Sequence, residues 1–242
     1  MIDLHCHILS GIDDGPTELE DSVAMAIQGA EDGIEQVCAT PHIRHDHDVR
    51  IGELERRVEG LNAELARRGV PIRVATGGEV AETILEHLDD DELPLVSLGG
   101  GGRWILLEPA PGPLSDSLPA AVEHLRERGY RSLIAHPERH LTADLEQRLG
   151  ALIERGALVQ ATAAFLTWDR TAKAMRSLAS HGLIHVLSSD AHSSRRGRPV
   201  RLSDGLRVLS QVELLAPHAE WIADVAPAAI VRGEDVEPPF GT

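Results

Sequence analysis

The sequence predicts an α/β fold, a TIM-barrel-like β/α barrel in which parallel strands alternate with helices. Short apolar segments alternate with longer segments of helical periodicity, and this pattern recurs at about the length of a βα unit. The 242 residues, 42% of them apolar, can bury one full core, so we predict a single domain over residues 1–242. An open doubly wound sheet would show the same alternation, and periodicity alone does not separate the two folds.

Seven short apolar segments predict the strands. They are residues 2–5, 36–40, 72–76, 104–108, 132–136, 158–161 and 184–188. The stretches between them are long enough for crossover helices, which parallel strands require.

The helical segments carry start and stop signals. Thr17 and Glu20 have the spacing of a capping box, and Gly33 suits the residue after a helix, so they predict the limits of the first helix. A second helix is predicted at about 49–68, where leucines and a valine recur at spacings of three and four. Similar patterns predict helices at 116–128, 143–155, 169–180 and 203–214. The glycine-rich residues 98–103 predict a flexible turn between two units.

Composition excludes several classes of protein. The net charge of −16 would repel a phosphate backbone, so nucleic acid is a poor candidate partner. Neither a signal peptide nor an apolar run long enough for a membrane span is evident, and we expect a cytoplasmic protein. Cys6 and Cys38 are too few for a disulfide framework, and we interpret both as buried apolar residues.

Six of the seven predicted strands end in a histidine, an aspartate or a glutamate. In a closed barrel the carboxyl ends of the strands meet at one mouth, so these side chains would face a common pocket. His5 and His7 lie two residues apart, which places both imidazoles on one side of an extended chain while Cys6 points away. The full set of strand-end residues is His5, His7, His42, Glu79, Glu108, His136, Asp190 and His192.

Mixed imidazole and carboxylate ligands suit Mn²⁺, Zn²⁺ or Fe. One catalytic zinc ion takes three protein ligands, so a set of this size indicates two or three ions with bridging carboxylates. A single histidine at a strand end is more often structural, but scattered structural histidines have no reason to choose the same end of successive strands.

The motifs "HCHILSGIDDGP", "ATPH", "GGE", "AHPER" and "SDAH", in this order, resemble the PHP (polymerase and histidinol phosphatase) superfamily. They are most similar to its bacterial metal-dependent protein-tyrosine phosphatases, which are associated with capsular and extracellular polysaccharide systems. The resemblance extends from Ile2 to about Pro199. It implies a distorted seven-stranded (β/α)7 PHP barrel with three divalent metal ions, commonly manganese, with iron or zinc as alternatives.

The resemblance also implies the metal ligands and their grouping. It adds Asp14, rather than its neighbour Asp13, to the strand-end residues. Glu108 is expected to bridge two ions. One ion would be held by His5, His7 and Asp190, and another by His42, Glu79 and His192.

A hydroxide that bridges two such ions would attack phosphorus, because coordination lowers the pKa of water toward about 7. Arg139 is the candidate for a bidentate clamp on the phosphoryl oxygens. A second arginine is expected after the "SDAH" motif, where Arg195, Arg196 and Arg198 are available and Arg196 and Arg198 are favoured. The implied substrate is a phosphotyrosine protein, with a tyrosine kinase of polysaccharide export as a candidate partner.

Alternatives remain at this stage. A histidinol-phosphate or other small-molecule phosphatase would use the same scaffold, and a metal-free barrel would serve only for binding. Cys38 and Arg44 have the spacing of cysteine-dependent tyrosine phosphatases, but Pro41 lacks the N–H that a phosphate-binding loop needs, so we interpret the spacing as chance. The pair Phe165 and Trp168, or alternatively Trp104, is available to contact a phosphotyrosine ring.

Overall fold

Nine parallel strands form the framework of the protein. The computed structural model describes residues 1–241. The strands are β1 (Ile2–Cys6), β2 (Gln36–Ala39), β3 (His42–Ile43), β4 (Arg73–Thr76), β5 (Glu79–Ala81), β6 (Trp104–Glu108), β7 (Arg131–Ile134), β8 (Leu158–Thr162) and β9 (Val186–Ser188). All seven predicted strands are present, each with its limits within two residues of the prediction.

The strands form a curled parallel sheet in two sections. One section has the order β1-β2-β4, and the other has the order β3-β5-β6-β7-β8-β9. The first and last strands approach each other, because Cys6 and Ala191 form a parallel bridge and the His7 amide donates to the Ala191 carbonyl at 2.9 Å. The α/β class and the parallel sheet are therefore confirmed.

The count of seven strands is not confirmed, since nine strands form and two of them follow breaks just after predicted strands. Pro41 has no N–H to continue the ladder, so the second predicted strand ends at Ala39 and the chain pairs again only at His42. Gly77 and Gly78 lie between β4 and β5, where glycine permits a close approach of neighbouring chain segments. The two short additional strands, β3 and β5, pair with each other and align His42 with Glu79.

The described residues also form eight α-helices and several short 3₁₀ turns; six of the helices lie between strands and two follow β9. They are α1 (Leu19–Glu31), α2 (Leu54–Arg68), α3 (Leu93–Val96), α4 (Leu118–Glu127), α5 (Leu145–Ile153), α6 (Ala172–Ser180), α7 (Ser203–Leu209) and α8 (Ala226–Val231). The capping box was wrong, since α1 begins at Leu19 with Glu18 as an N-cap that makes no side-chain bond. Gly33, with φ +83°, does follow the end of α1, as predicted.

Two apolar clusters cover the two faces of the sheet. Ile105 and Leu107 face the cluster that includes the long helices, whereas Trp104 and Leu106 face a second cluster that contains Ile230 of α8. Side chains alternate along a strand, so Glu108 follows Trp104 and Leu106 on the side of the second cluster. The polar residue at the end of β6 therefore lies next to the apolar side chains of the second cluster.

Residues 98–103 form a packed corner rather than a flexible turn. A Cβ on Gly99 would lie 2.5 Å from the Val231 carbonyl oxygen, and one on Gly101 would lie 2.7 Å from the Gly233 nitrogen. Only glycine permits this approach to the end of α8. Within residues 1–241, no helix combines the length and apolarity that crossing a membrane requires.

Candidate metal centre

Glu79 lies at the centre of a buried cluster at the carboxyl ends of the strands. Its Oε1 is 2.8 Å from His136 Nε2 and 3.3 Å from His5 Nε2, and its Oε2 is 3.2 Å from His7 Nε2 and 2.9 Å from His42 Nδ1. Glu108, which we expected to bridge, lies at the edge, with its Oε2 3.6 Å from His42 Nδ1. The geometry therefore gives the central position to Glu79.

Three groups of side chains bring ligand atoms within 4.8 Å of one another. They are His5, His7 and Asp190; His42, Glu79 and Glu108; and His7, Asp14, His42 and His192. With His136 beside Glu79, the structure brings all nine predicted metal ligands together. The expected grouping of the first three residues is seen, but His192 lies with Asp14 rather than with Glu79.

The adjacent residues Asp13 and Asp14 contact different parts of the cluster. Asp14 Oδ1 lies 3.3 Å from His192 Nε2 and 3.5 Å from His42 Nε2, so Asp14 faces the cluster. Asp13 Oδ2 instead accepts a hydrogen bond from His7 Nδ1 at 2.8 Å and one from the His42 amide at 3.2 Å. Asp13 therefore orients His7 with its Nε2 toward Glu79, which is the usual task of a carboxylate behind a ligating imidazole.

Gln160 supports the cluster from β8, which carries no predicted ligand. Its Oε1 lies 3.0 Å from His5 Nδ1 and accepts a hydrogen bond from the His136 amide at 3.4 Å. The side chain is fully buried. Gln160 therefore links two histidines that arrive from different strands and holds His5 with its Nε2 toward the cluster.

Backbone strain is concentrated in two ligands. Among residues 1–241, His136, with φ +33°, and Asp190, with φ +47°, are the non-glycine residues with positive φ. Such conformations are costly and persist where surrounding contacts impose them, which is common at functional sites. The Asp190 amide donates to the His5 carbonyl at 2.8 Å, so the seam between β1 and β9 imposes this conformation.

Unpartnered buried atoms show that the cluster suits cations. Five nitrogen and oxygen atoms of its members lack a hydrogen-bond partner: His42 Nδ1, Glu79 Oε2, Glu108 Oε2, His136 Nδ1 and Asp190 Oδ1. His42 Nδ1 and Glu79 Oε2 lie close together, but not in hydrogen-bond geometry. Buried polar atoms are rarely left without partners, and bound metal ions would satisfy the carboxylate oxygens here.

Protonation of His7 and His42 balances part of the carboxylate charge when no cation is bound. Burial alone lowers the pKa of His7, but the nearby carboxylates of Asp13 and Glu79 outweigh it and raise this pKa to about 9. Likewise, burial lowers the pKa of His42, whereas Glu108 and Glu79 raise it to about 10. Burial raises the pKa of Glu79, but His5, His136 and His42 bring it well below its ordinary value. Metal binding would displace such protons.

Sequence comparison assigns the chain that carries this cluster to a known family. Residues 1–213 match the family described as capsular polysaccharide synthesis, CpsB/CapC. The chain belongs to the CpsB/CapC family. It is 33% identical over 224 residues to the tyrosine-protein phosphatase YwqE of Bacillus subtilis, covering 87% of this chain and 84% of that protein. It is 26% identical over 208 residues to the tyrosine-protein phosphatase CpsB of Streptococcus pneumoniae, covering 80% and 83% respectively.

A solved structure agrees with this assignment to the CpsB/CapC family. A structure from work on YwqE of Bacillus subtilis and CpsB of Streptococcus pneumoniae, described as metal-dependent tyrosine phosphatases, superposes with a TM-score of 0.84 at 27% identity, covering 100% of this chain and 98% of that chain. Histidinol phosphate phosphatase of Lactococcus lactis superposes with a TM-score of 0.51 at 13% identity, covering 92% and 94%. The second likeness shows a shared fold.

Two of the three arginines predicted for the site of this CpsB/CapC protein reach the cluster. Arg139 Nη2 donates to Asp190 Oδ2 at 2.6 Å. Arg198 Nε donates to the Asp190 carbonyl at 2.6 Å, and its Nη2 lies 3.1 Å from His192 Nδ1. Arg196 is exposed. Between the two arginines favoured after the "SDAH" motif, the geometry favours Arg198.

Sequence reasoning missed one further cation at the cluster. Arg44 Nη1 donates to Glu108 Oε1 at 3.3 Å. Arg44 lies two residues after His42, which is the same spacing that predicted His5 and His7 to share a side, so the alternation of an extended chain was the available signal.

The structure also describes the surroundings of Cys38 and of the three aromatic residues considered for contact with a phosphotyrosine ring. Cys38 is fully buried, and burial raises the pKa of its thiol to about 12, so it does not supply a thiolate. Trp104 is buried at the start of β6, where its Nε1 donates to the Glu234 carbonyl at 2.8 Å, and it lies at the opposite end of that strand from Glu108. Phe165 and Trp168 contact each other, with ring centroids 4.5 Å apart.

Proposed function

We propose that this protein is a metal-dependent phosphatase that removes phosphate from tyrosine residues of proteins. The observation that carries the proposal is the cluster around Glu79, in which nine histidines and carboxylates converge with unpartnered ligand atoms. The relatives named as tyrosine-protein phosphatases support the choice of substrate.

The proposed metal ligands are the nine clustered residues, with Glu79 shared between ions. Three divalent ions, Mn²⁺ in particular, fit the number and the mixed chemistry of these groups. Such ions would supply a nucleophile from water near neutral pH and would neutralise charge on the phosphoryl oxygens. Asp13 and Gln160 would keep the ligating nitrogens of His7 and His5 turned toward the ions.

Arg139 and Arg198 are proposed to bind the phosphoryl group. Both lie against Asp190, so their guanidinium groups border the cluster from the same side. Arginine donates paired hydrogen bonds to phosphate oxygens, which orients phosphorus for in-line attack. Water adds to phosphorus, the bond from phosphorus to the tyrosine oxygen breaks, and tyrosine and inorganic phosphate are the products.

Further details also remain proposals. We infer that the two sheet sections together form the distorted seven-position barrel of the PHP superfamily, with each interrupted strand counted once, and that residues 1–242 form one domain. A tyrosine kinase of polysaccharide export as substrate, regulation of polysaccharide synthesis as the role and a cytoplasmic location stay predictions.

The first test measures hydrolysis of a phosphotyrosine peptide and of histidinol phosphate by metal-stripped and Mn²⁺-restored protein. We expect metal-dependent turnover of the peptide. His136→Ala should lower kcat/KM by about 100-fold or more, because it removes a proposed ligand. Cys38→Ala should retain activity, because Cys38 lies in an apolar cluster away from the ligands.

Other outcomes would refute parts of the proposal. A strong preference for histidinol phosphate would assign the protein to small-molecule phosphatases. Activity that is lost in Cys38→Ala but indifferent to metal would refute the metal mechanism. A fluorescence unfolding curve for each variant would show whether a loss of activity reflects unfolding.

A further inference from the structure

A cavity of about 200 Å³ opens directly beside the proposed metal centre. Glu108 belongs both to the wall of this cavity and to the group of ligands around Glu79. Four other cavities, of about 250 to 540 Å³, are lined by residues outside the cluster. If the phosphate of a bound molecule lies at the metal centre, the group attached to that phosphate can therefore lie in the cavity at Glu108.

The walls of this cavity suit a flat apolar group. Pro109, Ala110 and Pro111 follow Glu108 along the chain and line one part of it, with Ala81 from β5. Prolines have fixed φ and no N–H, so this segment is stiff and offers few hydrogen-bond donors. A cavity of about 150 Å³ in another protein accommodates benzene, so the volume here is sufficient for a phenyl ring.

Arg44 adds a fixed cation to the wall. Its Nε and Nη2 donate to the two carboxylate oxygens of Asp46 at 2.9 and 2.5 Å, and its Nη1 donates to Glu108 Oε1 at 3.3 Å. The guanidinium is therefore held on two sides, with 28% of the side chain exposed. A guanidinium held in this way can contact the face of an aromatic ring, which a cation attracts.

We propose that this cavity binds the phenol ring of the phosphotyrosine substrate, an inference that rests on the proposed function. The ring lies between the 109–111 segment and Arg44 while the phosphoryl group lies at the metal centre. The short side chain of a phosphoserine cannot fill the cavity in this way. The cavity thus selects aryl over alkyl phosphates.

The test narrows the cavity with Ala110→Phe in the Mn²⁺-loaded full-length chain. Ala110 is partly exposed, so a larger side chain can be accommodated without disturbing the core. We expect the ratio of kcat/KM for phenyl phosphate to kcat/KM for propyl phosphate to fall about tenfold or more, since burial of an aromatic side chain contributes about 1.5–3 kcal/mol. Ala143→Phe, at an exposed alanine that lines a different cavity, should leave the ratio within about twofold of wild type.

Binding of phosphonates gives a readout independent of turnover. By calorimetry, the Mn²⁺-loaded wild-type protein should bind phenylphosphonate about tenfold more tightly than methylphosphonate, and Ala110→Phe should remove that preference. Thr83→Phe, at an exposed residue of the same wall, should have the same effect if Ala110→Phe does not fold.

The outcomes separate this inference from the proposed function. An unchanged ratio in Ala110→Phe and Thr83→Phe, with the phosphotyrosine peptide still hydrolysed, would overturn the ring site alone. A fall of the ratio in Ala143→Phe instead would place the ring elsewhere and would also overturn it. Absence of metal-dependent hydrolysis of the phosphotyrosine peptide by the wild-type protein would remove both proposals.

Discussion

Glu79 illustrates the chemistry of the site at the scale of one residue. Its side chain is 1% exposed, and an isolated charge at such a position would be very costly. Four histidines within 3.3 Å of its oxygens compensate for this cost. Without metal ions the compensation comes from the charge of His5, His7 and His42, whose pKa values are raised, and from the hydrogen bond of His136. With metal ions it would come from the cations themselves.

Gln160→Leu tests how far a residue behind the ligands controls metal binding. Leucine has a similar size but no acceptor, so His5 Nδ1 and the His136 amide would lose their shared partner. We expect Mn²⁺ affinity to fall about 10–100-fold, the usual effect of losing such support. Competition with a chromophoric chelator measures this affinity directly.

Gln160→Glu is the matched control, because its carboxylate keeps the acceptor oxygen. It should retain most of the Mn²⁺ affinity that Gln160→Leu loses. Equal affinities for wild type and Gln160→Leu, measured on folded protein, would show that Gln160 does not orient His5.

At the scale of elements, two short strands position the centre of the site. β3 and β5 each span two or three residues, and their pairing sets His42 opposite Glu79. Gly78 precedes β5, and a Cβ there would lie 2.9 Å from Ile43 Cγ1 and 3.0 Å from Val96 Cβ. The close packing of β5 on β3 and α3 therefore depends on this glycine.

Gly78→Ala should separate β5 from its neighbours. We expect the free energy of unfolding to fall by about 1–3 kcal/mol, as is typical of overpacking a tight site. Mn²⁺ affinity should fall as well, because Glu79 would move with β5. Urea unfolding and chelator competition measure the two effects.

Gly60→Ala is the control for this prediction. Gly60 lies within α2, and a Cβ there would have no atom within 4 Å. Alanine in a helix is favoured over glycine by about 0.5–1 kcal/mol, so this variant should be at least as stable as wild type. If Gly78→Ala behaved in the same way as Gly60→Ala, the packing argument for β5 would be wrong.

At the scale of the whole molecule, the free energy of unfolding also depends on pH through a buried histidine outside the cluster. His185 lies just before β9 and is 1% exposed, and its Nδ1 accepts a hydrogen bond from the Val159 amide at 3.0 Å. Its ring stacks on Phe240, with centroids 5.9 Å apart. Burial lowers the pKa of His185 to about 4. The folded protein therefore keeps this imidazole neutral.

The metal-free protein should lose stability as the pH falls from about 6.5 to about 4. In this range the unfolded chain protonates His185 while the folded chain does not, so the unfolded state binds more protons and gains stability. The contribution is at most about 3 kcal/mol for a shift of this size. His185→Gln, which keeps an acceptor but does not titrate, should show a smaller fall in its free energy of unfolding by urea. If the free energy of unfolding changed equally with pH in wild type and His185→Gln, the attribution of this pH dependence to His185 would be wrong.

The sequence by itself determined the α/β class and the approximate limits of the seven predicted strands, and it named nine candidate ligands that the structure brings together. Periodicity and turn residues are local signals, and residues at strand ends share one edge of a parallel sheet wherever the strands lie. The resemblance to the PHP superfamily grouped His5, His7 and Asp190, and these three residues lie together in the structure. Charge likewise makes nucleic acid a poor candidate partner, which stays a prediction.

Only the tertiary structure decided the arrangement inside the cluster. The central place of Glu79, the division of labour between Asp13 and Asp14, and the support from Gln160 depend on contacts between strands that are distant in sequence. Interruptions at Pro41 and at Gly77 and Gly78 shift the register locally, and no periodicity in one strand reports where its neighbour's side chains lie. The distance between two side chains depends on how tightly all neighbouring residues pack, and those neighbours come from distant parts of the chain.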